Sequence, residues 1–210
     1  WCNVINKKAN RNEAYFRKDE GKVVVSGLVT NEAGERRIRV ARPVYVDREE
    51  GGREFNGVMV LSFDPQSPTE LFVDPIVSGR TGYAWVLNDK GVILAHHEKA
   101  FVGRDAFKVR VERNPDLSYD MINRIQQEMM TGKEGTGRYI SGWHRKESGK
   151  IEKLIAFTPI HVFERIWSVA VCVPVSEVER VVKDAYHKEM YTLSSIICIV
   201  VAGGLFAIGM

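Results

Sequence analysis

From Gly82 to Pro174 the apolar residues come in short runs separated by clusters of turn-forming residues. GYAWVLN and VILAHH flank NDKG, which predicts a β-hairpin. After an Arg-rich polar stretch, Leu117, Met121, Ile122, Ile125 and Met129 recur at helical spacing until Gly132 supplies a stop, so one amphipathic helix is predicted. GRYISGW, KLIAFTPI and IWSVAVCVP then read as three strands, with the turn-forming HRKESGK between the first two. The order strand, strand, helix, strand, strand, strand provides too few crossover helices for a parallel doubly wound sheet. It predicts an α+β unit over 82–175, a five-stranded antiparallel sheet with flanking helices.

VVVSGLV, RRIRVARPVYV and FNGVMVLSFD, within residues 22–64, repeat the last three strands of that plan. Setting Pro43 against Pro159 places Ile38, Val40, Val44 and Val46 over Leu154, Ala156, Ile160 and Val162. Residues 1–66 therefore read as the C-terminal part of a second such unit, whose first two strands are expected upstream of Trp1. Residues 67–81, opening on Ser67 and Pro68, read as a connecting helix.

Beyond Pro174, Ser176 and Glu179 have the spacing of a capping box, and Val178, Val181, Val182, Ala185 and Met190 follow at helical spacing. Residues 191–210 contain no Asp, Glu, Lys, Arg or His, and they match the length a bilayer core requires of a helix. A buried core helix is the alternative, and the membrane reading is preferred over it. One helix is thus predicted from Ser176, through a rod over 176–190, into a transmembrane segment over 191–210. At ~1.5 Å per residue it would be roughly 50 Å long, half of it above the hydrocarbon. The apolar stripe of the rod fits a homodimer seam better than a face packed on its own domain.

Composition narrows the function classes. Thirty basic against 27 acidic residues leave +3 with the signs interspersed, which excludes the electrostatic footprint of a nucleic-acid binder. There is no Walker loop, HExxH, Gly-x-Ser-x-Gly or CxxC, so no catalytic residues and no cofactor are assigned. Cys2, Cys172 and Cys198 suggest neither a disulfide framework nor a metal quartet. His96 and His97 are expected on opposite faces of a strand end, too divergent to share an ion, so no metal site is read either.

The resemblance to a known family rests on Gly82-Tyr83-Ala84-Trp85-Val86-Leu87 with Asp89-Lys90-Gly91, on Ile93-Leu94-Ala95-His96, and on Val102-Gly103-Arg104-Asp105. Trp167 to Val171 with Val173-Pro174 before a helix, and Arg42-Pro43-Val44-Tyr45 with Gly57-Val58 to Asp64, add to it. Together they resemble the double Cache (PAS-like) sensor domains of bacterial membrane receptors. The resemblance implies a non-catalytic, extracytoplasmic ligand-sensing segment, residues 1–190, anchored in the inner membrane. It most resembles sensor histidine kinases of two-component systems. The alternatives are a chemoreceptor, a diguanylate cyclase receptor, or an interaction ectodomain that senses nothing. His97 stands where the family usually has Pro, and RNEAYF at Arg11 to Phe16 only loosely matches the Arg-x-Trp-Tyr run of amino-acid-sensing members. The implied partner is therefore a small molecule left open among amino acids, carboxylates and amines.

Six residues are candidates for contacting it. Tyr139 and Trp143 share one face of their strand, towards the layer that covers a cavity in this family, with Arg138 on the other face. Tyr15, Arg42, Tyr45 and Asp64 combine an Asp and an Arg with aromatics, a set suited to a small zwitterion or carboxylate. Asp64 also sits where amino-acid-sensing members place the carboxylate that pairs a ligand ammonium. Ordinary core, rim and solvated strand-end roles remain open for all six.

Overall fold

A computed structural model describes residues 2–5, 22–30, 33–49, 51–65, 69–145 and 147–208, with side chains for all of these except 2–5, 27 and 202–208. Two antiparallel sheets carry the fold. The first contains β1 (Cys2–Ile5), β2 (Val24–Thr30), β3 (Arg36–Asp47) and β4 (Arg53–Phe63) in the order β1-β4-β3-β2. The second contains β5 (Tyr83–Asn88), β6 (Ile93–Ala95), β7 (Gly135–His144), β8 (Glu147–Val162) and β9 (Arg165–Pro174) in the order β6-β5-β9-β8-β7. This is the five-stranded antiparallel sheet that the turn chemistry predicted.

The internal repeat is visible in the ladders. Pro43 pairs with Val58 on β4 and Pro159 with Ser168 on β9, and both partners are buried. Two residues on, Val60 and Ala170 are buried in turn. One expectation needs correcting. β1 lies beside β4 just as β5 lies beside β9, so Cys2–Ile5 occupies the place of a first strand that was expected upstream of Trp1. Four residues with an Asn among them are too short to carry a strand signal.

In the second sheet every residue of β5 is buried. Tyr83, Trp85 and Leu87 enter the main core, while Val86 packs on the opposite face with Leu94 and Ala95. Leu28 of the first sheet and Val73 cover that second face, which is why GYAWVLN reads as a continuous apolar run. The β5–β6 turn closes because Asn88 Oδ1 accepts from the amides of Lys90 at 2.9 Å and Val92 at 2.8 Å, and Gly91 takes a φ of 75°.

Two helices lie between β6 and β7. The Arg-rich stretch that the periodicity left unassigned is helix α1 (Ala106–Arg113), capped by Asp105, which accepts from the amides of Phe107 and Lys108. Helix α2 (Asp120–Met130) starts three residues later than predicted and sends Ile122, Ile125 and Met129 into the core. Between the sheets, Thr69–Val73 forms one short π-helical turn in place of the connecting helix over 67–81, and Ser67 and Pro68 lie outside the described residues.

Helix α3 (Val175–Ile208) leaves β9 without a loop and runs for 34 residues, roughly 50 Å. It begins one residue before Ser176, which therefore sits in the first turn and cannot be the N-cap of a capping box. Among the described residues, no helix is long and apolar enough to cross a membrane. Residues 202–210 of the span expected over 191–210 lie outside those with described side chains.

Candidate functional site

The candidates in the first sheet are not gathered at one place. Tyr45 stacks edge-on against Phe55 with ring centroids 5.9 Å apart, and Arg42 is exposed beside Met59. Asp64 is one step along the ladder from the Ile38–Phe63 pair, next to Arg37. Glu35, at 2.9 Å, further favours the charged guanidinium of Arg37, and Asp64 adds to the same effect. Ile38 and Tyr45 are seven residues apart on β3, ~23 Å at the rise of a strand, so Asp64 and Tyr45 mark opposite ends of the sheet. Tyr15 lies outside the described residues.

In the second sheet Tyr139 and Trp143 do come together, both buried in the main core. Around Trp143 stands a group of rings that the sequence reading passed over. Phe101 is 5.2 Å from Trp143 and 5.1 Å from His96, while Tyr83 contacts His96 at 5.3 Å, His97 at 3.9 Å and His144 at 5.4 Å. His96 and His97 therefore meet on one side, at 4.6 Å, instead of diverging. Strand alternation no longer holds there because β6 ends at Ala95 and the chain turns. Among the described residues no three His, Cys, Asp or Glu side chains form a metal site.

Cations surround these rings. Lys153 is 0% exposed, and its Nζ donates to the Tyr83 hydroxyl at 3.1 Å while lying 5.2 Å over the Tyr83 ring and 5.9 Å over Trp143. Arg110, also buried, donates to the Ala106 carbonyl at 2.6 Å and sits over Trp85. Arg113 spans Phe101 and Trp143, and it pairs with Glu98 at 3.5 Å. A signal for Lys153 was present in the sequence. Lys153, Ile155 and Phe157 alternate on the buried face of β8, and a lysine in such a register is anomalous.

Burial acts on the ionisation of the whole group. Burial, followed by Arg110 and Arg113, lowers the Lys153 ammonium to about 8. Burial and neighbouring cations lower His97 and His144 to about 4, and burial holds His96 well below the ordinary imidazole range. All three imidazoles are neutral near pH 7. An open cleft of about 460 Å³ adjoins the group, lined by Thr81, His97, Glu98, His144, Arg145 and Glu147.

One wall of the cleft is tied to α3. His144 Nε2 lies 2.9 Å from Thr81 Oγ1, which donates to Glu177 Oε2 at 2.5 Å. The amides of Arg80 and Thr81 also donate to this carboxylate. Burial opposes ionisation of Glu177, but these hydrogen bonds outweigh it and hold the carboxyl below its ordinary value. With the Thr81 proton committed to Glu177, His144 must donate from Nε2, leaving Nδ1 unprotonated. Glu177 was missed because the spacing of Ser176 and Glu179 offered a simpler capping motif.

Residues 3–182 match the Cache domain family, and the chain belongs to it. A Cache domain is a ligand-binding, non-catalytic sensor module. Similar solved structures include an extracellular domain assigned to a histidine kinase, mmHK1S-Z3, at 18% identity and TM-score 0.55, covering 78% of this chain and 53% of that one. The periplasmic sensory domain of the Campylobacter jejuni chemoreceptor Tlp1 matches at 19% identity and TM-score 0.54, covering 77% and 52%. The ligand-binding domain of the Pseudomonas aeruginosa PAO1 amino-acid chemoreceptor PctC, in complex with GABA, matches at 18% and 0.53, covering 81% and 66%. The chain thus spans from about half to two-thirds of these three solved domains. No curated protein matches. The fold is that of the extracellular and periplasmic sensor domains of histidine kinases and chemoreceptors alike.

Proposed function

We propose that this chain is the ligand-sensing input of a bacterial transmembrane receptor, a sensor histidine kinase of a two-component system, with residues 1–190 extracytoplasmic and 191–210 in the inner membrane. The observation that carries the reading is the tie from His144 through Thr81 to Glu177, which couples one wall of a cleft to the first turn of an unbroken 34-residue helix. A ligand that favours one arrangement of that wall thereby biases the position of α3. The charge-free composition of 191–210 supports the bilayer, and the exposed Val178, Val181 and Val182 on α3 support a homodimer seam. Units over 1–66 and 82–175, joined by 67–81, divide the work. The ligand is an amino acid, a carboxylate or an amine, with Tyr15, Arg42, Tyr45 and Asp64 as contacts in the first unit and Tyr139 and Trp143 in the second.

The test is a thermal-shift screen of the chain against these three classes, paired with autophosphorylation of the intact receptor in membranes. A specific ligand at 100 times its Kd stabilises by ~2.7 kcal/mol and should change the output. Stabilisation without any change in phosphorylation would reject the kinase reading. If no class stabilised the chain, the sensing reading itself would fall.

A further inference from the structure

We propose that the second sheet holds a binding site for a small monocarboxylate anion, whose carboxylate is received by Lys153 and the Trp143 indole behind the cleft walled by His97 and His144. The inference deepens the ligand-sensing reading by assigning one chemical class to one unit.

The first argument is a missing counter-charge. Lys153 has the Tyr83 hydroxyl as its polar partner, and no carboxylate among the described residues bonds it. The groups that act on it are Tyr83, Arg110, Arg113, Cys172 and the three imidazoles His96, His97 and His144, none of them a carboxylate. On the neighbouring strand the residue opposite Lys153 is Pro174. The first sheet shows what that place can otherwise hold. By the Pro43–Pro159 alignment Arg37 corresponds to Lys153, and Asp64 corresponds to Pro174. The second sheet therefore keeps the cation, buries it and has lost the acid. An unpaired buried ammonium costs several kcal/mol, and an anionic ligand removes that cost.

The second argument comes from unsatisfied donors. Trp143 is 3% exposed, and its Nε1, which can only donate, has no partner among the described residues. The ammonium lies 5.9 Å from the Trp143 ring. A carboxylate is acceptor-only and has two oxygens, so it can satisfy a lysine and an indole together. His97 Nδ1 is also buried without a partner among the described residues, and the His97 and His144 rings both line the cleft and touch Tyr83. Tyr83, which Lys153 bonds, stands against both of these cleft-wall rings, and the proposed entry route runs past them.

The surroundings select within the anions. Tyr83, Phe101 and Trp143 supply apolar walls for a short carbon chain, which chloride or phosphate would not use. The cleft carries Arg145 beside Glu98 and Glu147, and Glu98 is paired with Arg113, so the single carboxylate-free ammonium of Lys153 sets the number of carboxylates received at one.

The test is calorimetric titration of the full chain in detergent micelles with acetate, propionate, glycolate and pyruvate. Acetamide and propionamide serve as neutral controls, and chloride and phosphate as inorganic arms. Saturable binding of at least one monocarboxylate and of no amide is expected, weakened roughly tenfold or more in both Lys153→Met and Trp143→Phe. At pH 8 the wild type should take up a proton on binding, seen as a heat that varies with the buffer, and Lys153→Met should not. Lys153→Met removes an unpaired charge and should melt no lower than wild type, so a loss of binding in it is not a loss of fold. Unchanged binding in both variants would overturn the site. Binding of chloride or phosphate alone, or of no anion, would overturn the carboxylate class. Carboxylate binding that depends on Lys153 but leaves receptor output unchanged would uphold the site and reject the signalling reading, so the two can fail separately.

Discussion

The two sheets share a strand plan and differ in what lies on it. In the first, the described core around Ala41 is small, formed with Val58 and Val60 and joined by Val24 and Phe55. In the second, the place of Ala41 is taken by Phe157, and α2 closes a core that includes Tyr83, Trp85, Tyr139 and Trp143. The corresponding cations diverge further. Arg37 is near the surface and paired with Glu35, whereas Lys153 is wholly buried and, among the described residues, bonds a hydroxyl in place of a carboxylate. The ladder therefore fixes where side chains stand, and the covering layer decides what those places do chemically.

Exchange between corresponding positions tests that conclusion. Phe157→Ala, which gives the second sheet the first sheet's residue, should cost ~3–5 kcal/mol by urea melting, because α2 cannot collapse onto the space left. A cost below about 1 kcal/mol would mean that the larger core is not essential to the second sheet. The cation pair gives the next effect. Lys153 ionises at about 8 in the folded chain against an ordinary 10.5, so between these values the unfolded chain binds more protons and stability rises with pH. Without ligand, wild type should gain of the order of 3 kcal/mol across that window. Lys153→Met should lose that rise. Arg37→Met should leave stability nearly unchanged, because exposed ion pairs contribute little.

Much of this architecture was legible in the sequence, and the gaps have physical causes. Strands β5 and β9 announced themselves through unbroken apolar runs, and NDKG through the amide-bonding capacity of Asn88. Helix α1 did not, because Arg110 occupies an apolar position of its stripe and a charge there cancels the periodic signal. The entry of Tyr139 and Trp143 into one core followed from even spacing on one strand. Tyr45 and Asp64 shared residue chemistry but not a position, and only the register of β3 against β4 reveals their distance. The tie from Glu177 to Thr81 spans 96 residues of chain, beyond the reach of any local pattern.

That tie has no counterpart among the described residues of the first sheet, and breaking it should separate binding from transmission. Glu177→Gln keeps the shape but loses the charge that receives the Arg80 and Thr81 amides, a cost of ~1.5–3 kcal/mol for charge-assisted hydrogen bonds. Hydrogen exchange at Arg80, Thr81 and the first turn of α3 should quicken, while exchange in β2–β4 should not change. Equal acceleration in both sheets would show that Glu177 supports the whole fold and is not a local clasp.

The smallest effect is a difference in acid sensitivity. Every histidine of the chain lies at or beyond residue 96, so the first sheet contains none. His97 and His144 titrate at about 4 when folded, below the ordinary 6.5, so the unfolded chain binds more protons in between. Their contribution to stability is complete above pH 6.5 and is lost as pH falls towards 4, and His96 acts in the same direction. The partly exposed His97 ring is screened by water, which keeps its share of the loss modest. Exchange measured from pH 7 to 4.5, after correction for intrinsic rates, should show β5 and β7 losing protection before β3 and β4. Replacing His97 and His144 together by Gln should remove that order, because glutamine does not titrate. If β5 and β7 still opened first in the double variant, the acid response would have to come from the carboxylates, with Glu177 first among them, and the imidazoles would carry no part of the difference between the sheets.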